Sequence, residues 1–139
     1  MTIGRRRLLL GALVLASCRS TAERCAFCGM KIDAVSPWRS DLVLVDGTTK
    51  HFDTPRCALT AWRTGRFDAR AIRVQDYYGR TWRDGSEVRF VVGSDVVGPM
   101  GPDLVPVDTS RAAKFAEDHT AARPLPLSAV TAELLSELK

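Results

Sequence analysis

The feature that most constrains the fold is a hairpin pattern followed directly by a helix start. Residues 42–45 and 48–52 are rich in strand-forming side chains, and Asp46-Gly47 separates them. A two-residue Asp-Gly loop is typical of a β-hairpin, because both positions accept a positive φ. Asp53-Thr54-Pro55 then offers an oxygen-bearing cap and a proline for the first helical position. The sequence therefore predicts two antiparallel strands, a helix and, over residues 71–77, a third strand.

The second half of the chain repeats this plan. Residues 53–58 match residues 108–113 at four of six positions, and upstream Ser40-Asp41 matches Ser94-Asp95. The predicted elements of this half are a strand-rich segment at 87–97, a turn at 98–102, a return strand at 103–107, a helix capped by Asp108-Thr109-Ser110 that ends near Glu117, and a packing helix within 128–139 with apolar residues at helical spacing.

Together these patterns predict an α+β fold. We expect two small tandem hairpin-plus-helix (ββα-type) units, at residues 25–78 and 79–139, packed into one compact body. The composition, with 45% hydrophobic and 26% charged residues, is typical of an ordinary globular domain. Three tryptophans are expected in its core: Trp38, Trp62 and Trp82.

The N-terminus has the pattern of a bacterial lipoprotein signal peptide. Three arginines at 5–7 precede an apolar run at 8–16, which is far shorter than the ~20 residues that span a bilayer. A small residue then precedes Cys18, the expected lipidation site. We expect residues 1–17 to be removed, residues 18–24 to form a lipidated tether, and the protein to be anchored to a membrane facing the periplasm. The general secretory and twin-arginine routes both stay open, as does an unmodified Cys18 thiol.

The charge pattern excludes one class of partner. The formal net charge of +4 falls to +1 once the three signal-peptide arginines are removed. The remaining basic residues are interspersed with Asp and Glu and form no run. Because nucleic-acid binding needs a clustered basic face, we expect no nucleic-acid partner.

The segment Cys25-Ala-Phe-Cys28-Gly29-Met30 places two thiols and a thioether within six residues. Thiolates and thioethers are the soft ligands that hold copper(I), so Cu(I) is the expected metal. Cys28 and Met30 are the first candidate pair, because Gly29 between them lets both side chains turn towards one point. Cys25 is a further candidate ligand. The pattern indicates a metal carrier and not an enzyme.

Four residues elsewhere in the chain are further candidates. Met100 lies in a Gly-Pro-Met-Gly-Pro turn and would close over the metal if the two halves pack face to face. Cys57 falls in the first turn of the first helix, whose positive end favours a thiolate. Its alternative role is a small buried side chain, because Ala112 occupies the matching repeat position. His51 and His119 are possible additional ligands, although a lone histidine is more often a surface or packing residue.

These elements, in this order, resemble the NosL family: the lipidation cysteine, CxxCGM, Phe52-Asp53 with Cys57, and Pro99-Met100-Gly101. NosL proteins are copper-binding lipoproteins accessory to nitrous oxide reductase, and the resemblance covers the whole chain. It implies two small related βα domains, in a fold shared with organomercurial lyase. It also implies delivery of Cu(I) to nitrous oxide reductase, a denitrification enzyme, together with the reductase's assembly factors. Another exported cuproenzyme remains the alternative client, because some family members are encoded away from any reductase.

Other interpretations of the cysteines stay open. Cys25 and Cys28 can form a disulfide or act as a periplasmic thiol reductant. A structural zinc site would use these two with Cys57 and one histidine, but it leaves both methionines without a role. Catalysis of carbon–mercury cleavage, with Asp53 as proton donor, suits an exported and tethered chain poorly. We therefore expect a copper carrier.

Overall fold

The computed structural model describes residues 22–120 and 122–138. The predicted signal peptide and Cys18 lie outside these residues. The first half forms a four-stranded antiparallel sheet in the order β2-β1-β3-β4. Its strands are β1 (Ser40–Leu44), β2 (Thr49–Phe52), β3 (Ala69–Gln75) and β4 (Trp82–Asp84). The predicted Asp-Gly hairpin is present, with Gly47 at a φ of 88°.

The second half forms a three-stranded antiparallel sheet in the order β8-β5-β9 and a separate two-stranded hairpin of β6 and β7. The strands are β5 (Val88–Val92), β6 (Val97–Gly98), β7 (Gly101–Pro102), β8 (Val105–Asp108) and β9 (Arg123–Leu125). The helices of the chain are α1 (Pro55–Arg63), α2 (Ala112–Asp118) and α3 (Ala132–Glu137), with a 3-10 turn at Leu127–Ala129.

The two sheets repeat one topology, which confirms the predicted α+β fold. In each, the first strand lies at the centre, a hairpin partner pairs on one side, and the strand after the helix pairs on the other. Part of the sequence alignment is wrong, however. Ser40 and Asp41 begin β1, whereas Ser94 and Asp95 follow the end of β5. The reason is the extra hairpin β6–β7, which is inserted between the first and second strands of the second sheet.

The start of α2 also differs from the prediction. The helix begins at Ala112, and Arg111 at the cap position makes no side-chain capping bond. The Asp108 side chain accepts instead from the Ser110 backbone N–H at 3.0 Å, and it pairs with Arg83 at 2.8 Å. Asp108 therefore stabilises the turn before the helix and links β8 to β4 of the first sheet. Short polar side chains commonly form such local hydrogen bonds with the backbone outside the helix.

One hydrophobic core joins the two halves. It combines Leu42 and Ile72 of the first sheet with Phe90 of the second, and α3 adds Leu135. Arg63 at the end of α1 donates to the Val130 and Leu127 carbonyls, at 2.7 and 2.9 Å. The C-terminal segment is thereby fixed against α1. None of the described helices has the length and apolarity that a membrane span requires.

The tryptophan prediction is wrong for Trp82, which is exposed, whereas Trp62 and Trp38 are half-buried and pack against the hydrophobic clusters. Trp82 is 37% exposed, since β4 is an edge strand, and the Arg73 guanidinium lies 5.7 Å from its ring centre. Arg63 covers the Trp62 ring at 4.7 Å, and Trp38 lines a surface cavity. The core is filled by phenylalanine and aliphatic side chains instead.

Candidate metal centre

The CxxCGM segment forms one tight turn. The Cys25 N–H donates to the Met30 carbonyl at 2.8 Å, and the Gly29 N–H donates to the Cys25 carbonyl at 2.9 Å. Gly29 has a φ of 78°, a conformation that residues with a Cβ rarely adopt. The Ala26 N–H donates to the His51 carbonyl at 2.9 Å, which fixes the turn against the end of β2. Both cysteines are therefore held in place by backbone hydrogen bonds.

The first turn of α1 supplies the third thiol. Thr54 caps the helix: its Oγ1 accepts from the Cys57 N–H at 3.2 Å, and Pro55 is the first helical residue. This confirms the capping predicted from Asp53-Thr54-Pro55. Cys57 is buried at the positive end of the helix dipole, which by itself favours a thiolate, but burial and the hydrogen bond with Cys25 oppose that effect and raise its pKa.

These elements bring four donors together. The Sγ atoms of Cys25, Cys28 and Cys57 and a carboxylate oxygen of Asp53 all lie within 4.8 Å of one another. We call these four residues the thiol cluster. The Cys28 thiol donates to Asp53 Oδ2 at 3.6 Å. Cys28 is exposed, whereas the other two cysteines are buried, so the cluster is open to solvent on one side.

Hydrogen bonding divides the charge unequally within the thiol cluster. A hydrogen bond from the Cys57 thiol lowers the pKa of Cys25 to about 6. The same hydrogen bond, together with burial, raises the pKa of Cys57. Burial raises the pKa of Cys28. These opposite shifts favour the thiolate at Cys25, which the neighbouring Cys57 thiol stabilises, and the protonated thiol at Cys57 and Cys28. A thiolate of this kind is ready to act as a metal ligand.

The two candidate methionines lie beside the thiol cluster, and their side chains are exposed to solvent. Met30 is 48% and Met100 is 45% exposed. Met100 lines a cavity of about 440 Å³ together with Cys28 and Cys57. Met30 lines a second cavity, of about 570 Å³, into which Asp53 also faces. The structure thus places thioethers at two cavities that the thiol cluster also borders.

A buried carboxylate ties the Met100 hairpin to the start of α1. Asp103 directly follows β7, and its Oδ1 accepts from the Arg56 backbone N–H at 2.9 Å. The Arg56 guanidinium donates to the Pro102 carbonyl at 3.1 Å. Since Arg56 precedes Cys57, these bonds set the position of Met100 relative to the buried thiol.

Comparison with known proteins identifies the family and the fold of the chain. The family model described as NosL matches residues 19–135. The chain belongs to the NosL family. The crystal structure of the copper chaperone NosL from Shewanella denitrificans superposes with a TM-score of 0.67 at 18% identity, covering 78% of this chain and 89% of that one. At this identity the superposition establishes the NosL fold. No match was found among curated proteins.

The two candidate histidines of this NosL chain lie outside the thiol cluster. His51 Nδ1 lies 2.8 Å from Asp41 Oδ1, and its Nε2 lies 3.4 Å from a Glu23 oxygen. His119 Nδ1 lies 2.7 Å from Asp95 Oδ1, and its ring stacks on Phe115 at 4.2 Å. The ring of each histidine therefore contacts a carboxylate. His51 contributes to the site through its backbone carbonyl, which accepts the hydrogen bond from the Ala26 N–H.

Asp53 is the cluster member that the sequence did not identify as a possible ligand. Sequence reasoning assigned it to the helix cap, but Thr54 alone makes the capping bond to Cys57. Asp53 instead lies beside the Cys28 thiol. The sequence feature that could have identified Asp53 is its spacing of four residues from Cys57. This spacing places Asp53 and Cys57 together at the start of α1, facing the CxxC turn.

Proposed function

We propose that this NosL protein is a Cu(I)-binding metallochaperone. The observation that carries the proposal is the convergence of Cys28, Cys57 and Met100 on one cavity, with the Cys25 thiol in the same cluster and Met30 at the second cavity, which Asp53 also lines. Cu(I) is a soft ion that binds thiolate and thioether sulfur. Cys28, Met30 and Met100 bind the ion from the exposed side, and the buried thiols of Cys25 and Cys57 are the further candidate ligands.

The exposure of the site suits transfer as well as binding. Cys28 and both methionines are reached from solvent. Ligands of an acceptor protein can therefore enter as those of the carrier leave, without release of free copper. Because thiols must lose their protons to bind the metal, affinity falls as the pH is lowered. The chain acts as a carrier, without a catalytic step.

The proposed cellular location of the protein rests on its N-terminal sequence. Cys18 is proposed to carry the lipid that anchors the chain to a membrane facing the periplasm, as the pattern before it indicates. Tethering raises the encounter frequency with a partner on the same surface. The proposed acceptor is nitrous oxide reductase with its assembly factors. Membership of the NosL family and the likeness to a copper chaperone support this assignment.

The binding proposal is tested by anaerobic Cu(I) titration of residues 19–139, which contain every described helix and strand, against a competing chelator. Cys28→Ser, Met30→Leu and Met100→Leu should each weaken Cu(I) affinity by about tenfold or more, the scale for perturbing a metal site. His119→Gln serves as the matched control and should leave affinity unchanged. Equal affinity in all four variants would refute the site. Reversible thiol oxidation without Cu(I) affinity would indicate a thiol reductant instead.

The client is tested by mixing the Cu(I)-loaded protein with copper-free nitrous oxide reductase and measuring copper in each protein after separation. Transfer to the reductase, absent with the Cys28→Ser variant, is the expected result. Retention of all copper by the carrier would refute this client. Lipidation is tested separately, by comparing the mass and membrane association of the wild-type chain with those of Cys18→Ser.

A further inference from the structure

A cavity at the junction of the two halves has no part in the proposed copper site. Its volume is about 220 Å³, and it is lined by the end of β3 and the loop after it on one side and by residues 96–97 and 105–106 of the second half on the other. Trp38 and Tyr77 contribute aromatic rings to the lining, and Arg80 contributes a guanidinium. We call this space the junction cavity. Small-molecule sites are found preferentially at such junctions.

Hydrogen bonds hold the walls of the junction cavity in place. The Tyr77 N–H donates to the Pro106 carbonyl at 2.8 Å, which joins the loop after β3 to the second sheet. Asp76 is 5% exposed, and its two carboxylate oxygens accept from the backbone N–H groups of Asp108, at 2.7 Å, and Gly79, at 2.6 Å. The cavity is therefore formed before a ligand enters it, as is usual for small-molecule sites.

Arg80 has a backbone conformation that favours glycine. It ends the loop between β3 and β4 with a φ of 56°, and its N–H donates to the Asp76 carbonyl at 2.9 Å. A residue with a Cβ is strained in this conformation, and strain of this kind is concentrated at binding sites. The loop thus holds a cationic side chain at the cavity at the expense of an unstrained backbone.

The Arg80 guanidinium is available to a ligand. Within residues 22–120 and 122–138 it forms no ion pair, and it lies 5.8 Å from the centre of the Tyr77 ring. Asp76 is the other charged residue that lines the cavity, but both of its oxygens accept backbone hydrogen bonds. A cation beside aromatic rings, with no carboxylate of the described chain paired to it, suits an anion that carries an apolar group.

The lining and the volume together define the class of ligand. A guanidinium binds a carboxylate through two parallel hydrogen bonds. The rings of Trp38 and Tyr77 offer flat apolar surfaces against which an aromatic ring can pack. The volume lies below the range of about 300–1,000 Å³ for pockets that hold drug-sized molecules, so the ligand is limited to about one ring. We propose that the junction cavity binds a small aromatic carboxylate, with its carboxylate on Arg80. This site does not depend on the proposed copper function.

The site is tested by titrating copper-free residues 19–139 with benzoate and following the amide NMR chemical shifts. Saturable shift changes confined to the residues that line the junction cavity are expected. Acetate lacks the ring and benzyl alcohol lacks the charge, so each should bind at least about tenfold more weakly than benzoate. Equal affinity for benzyl alcohol would overturn the assignment of a carboxylate. Changes that do not saturate, or that are spread over the surface, would overturn the site itself.

Two substitutions of Arg80 separate binding from folding. Arg80→Gln removes the charge without relieving the strained backbone and should weaken benzoate affinity by at least about tenfold, the scale for a hydrogen bond to a charged group. Arg80→Gly should weaken it equally without lowering the urea midpoint, because glycine accepts this φ. The matched control is Arg66→Gln, an exposed arginine 5.5 Å from the Phe27 ring and outside the cavity, which should leave affinity unchanged. Unchanged affinity in Arg80→Gln, or equal losses in both glutamine variants, would refute the proposal.

Discussion

Replacing Asp103 with asparagine should stabilise the protein at neutral pH. Asp103 is 5% exposed, and its Oδ1 accepts from the backbone N–H groups of Arg56 and Leu104, at 2.9 and 2.8 Å. An asparagine Oδ1 can accept the same two bonds. The substitution therefore removes a buried charge and retains the connection between the Met100 hairpin and α1.

The magnitude follows from the pKa of this carboxyl. Burial raises the pKa of Asp103 from 3.8 to about 6. The native state thus binds the proton more tightly than the unfolded chain, so stability falls as the pH rises from about 4 to about 6. Each pKa unit corresponds to about 1.4 kcal/mol, so the cost above pH 6 is about 3 kcal/mol. Asp103→Asn should remove this cost at pH 7.5 and have little effect near pH 4.

The assay is urea unfolding of residues 19–139 followed by tryptophan fluorescence, between pH 4 and pH 7.5. The difference in unfolding free energy between Asp103→Asn and the wild type should grow across this range. Asp46→Asn is the control of opposite sign, because hydrogen bonds from Thr48 lower the pKa of Asp46. That variant should lose stability at neutral pH. A constant difference for Asp103→Asn, or lower stability at pH 7.5, would refute the reasoning.

Three further substitutions test the packing around the site by urea unfolding or hydrogen exchange. Thr54→Ala removes the cap of α1 and should cost about 1 kcal/mol of unfolding free energy, whereas Thr54→Ser should be nearly neutral. Gly85→Ala places a Cβ 2.4 Å from Ile72 Cγ2 and should cost about 1–3 kcal/mol; unchanged stability would show that this strand end relaxes freely. Arg63→Met removes two hydrogen bonds to the C-terminal segment and should speed amide exchange within residues 127–138, while exchange in β1 stays unchanged.

Local signals in the sequence predicted much of the fold. The Asp-Gly turn and the Thr54-Pro55 helix start depend on the conformations of two or three neighbouring residues, and both are present. The repeated order of hairpin and helix followed from the same signals, whereas the strand after the second helix, β9, was not predicted. These features were predictable because turn and cap preferences operate without tertiary contacts.

The missed features depend on contacts between distant segments. Hairpin β6–β7 consists of two-residue strands, too short for any periodic pattern, and its position depends on Arg56 and Asp103. Likewise, Asp108 resembles a helix cap in sequence, but Arg83 of β4, in the other sheet, forms an ion pair with it. The edge position of Trp82 is also set by sheet order, which composition does not reveal.

The candidate site also combines residues that local sequence signals identified with residues that only the fold brings together. Chemistry selected Cys25, Cys28 and Met30 as metal candidates, because soft ligands close in sequence are a local signal, and it selected Met100 because of its place in the Gly-Pro-Met-Gly-Pro turn. The meeting of Cys57 with the CxxC turn joins segments about 30 residues apart, and it became visible only in the fold. Asp53 was missed as a cluster member because the sequence assigned it to the helix cap, a role that Thr54 fills in the structure.

The central claim is that sulfur atoms of this chain hold Cu(I). The most direct measurement is copper K-edge X-ray absorption of residues 19–139 loaded with one equivalent of Cu(I) under anaerobic conditions. The account predicts a low-coordinate shell of sulfur scatterers only, with fewer sulfurs in Met100→Leu. A shell that contains imidazole nitrogen, or one unchanged in Cys28→Ser, would contradict it.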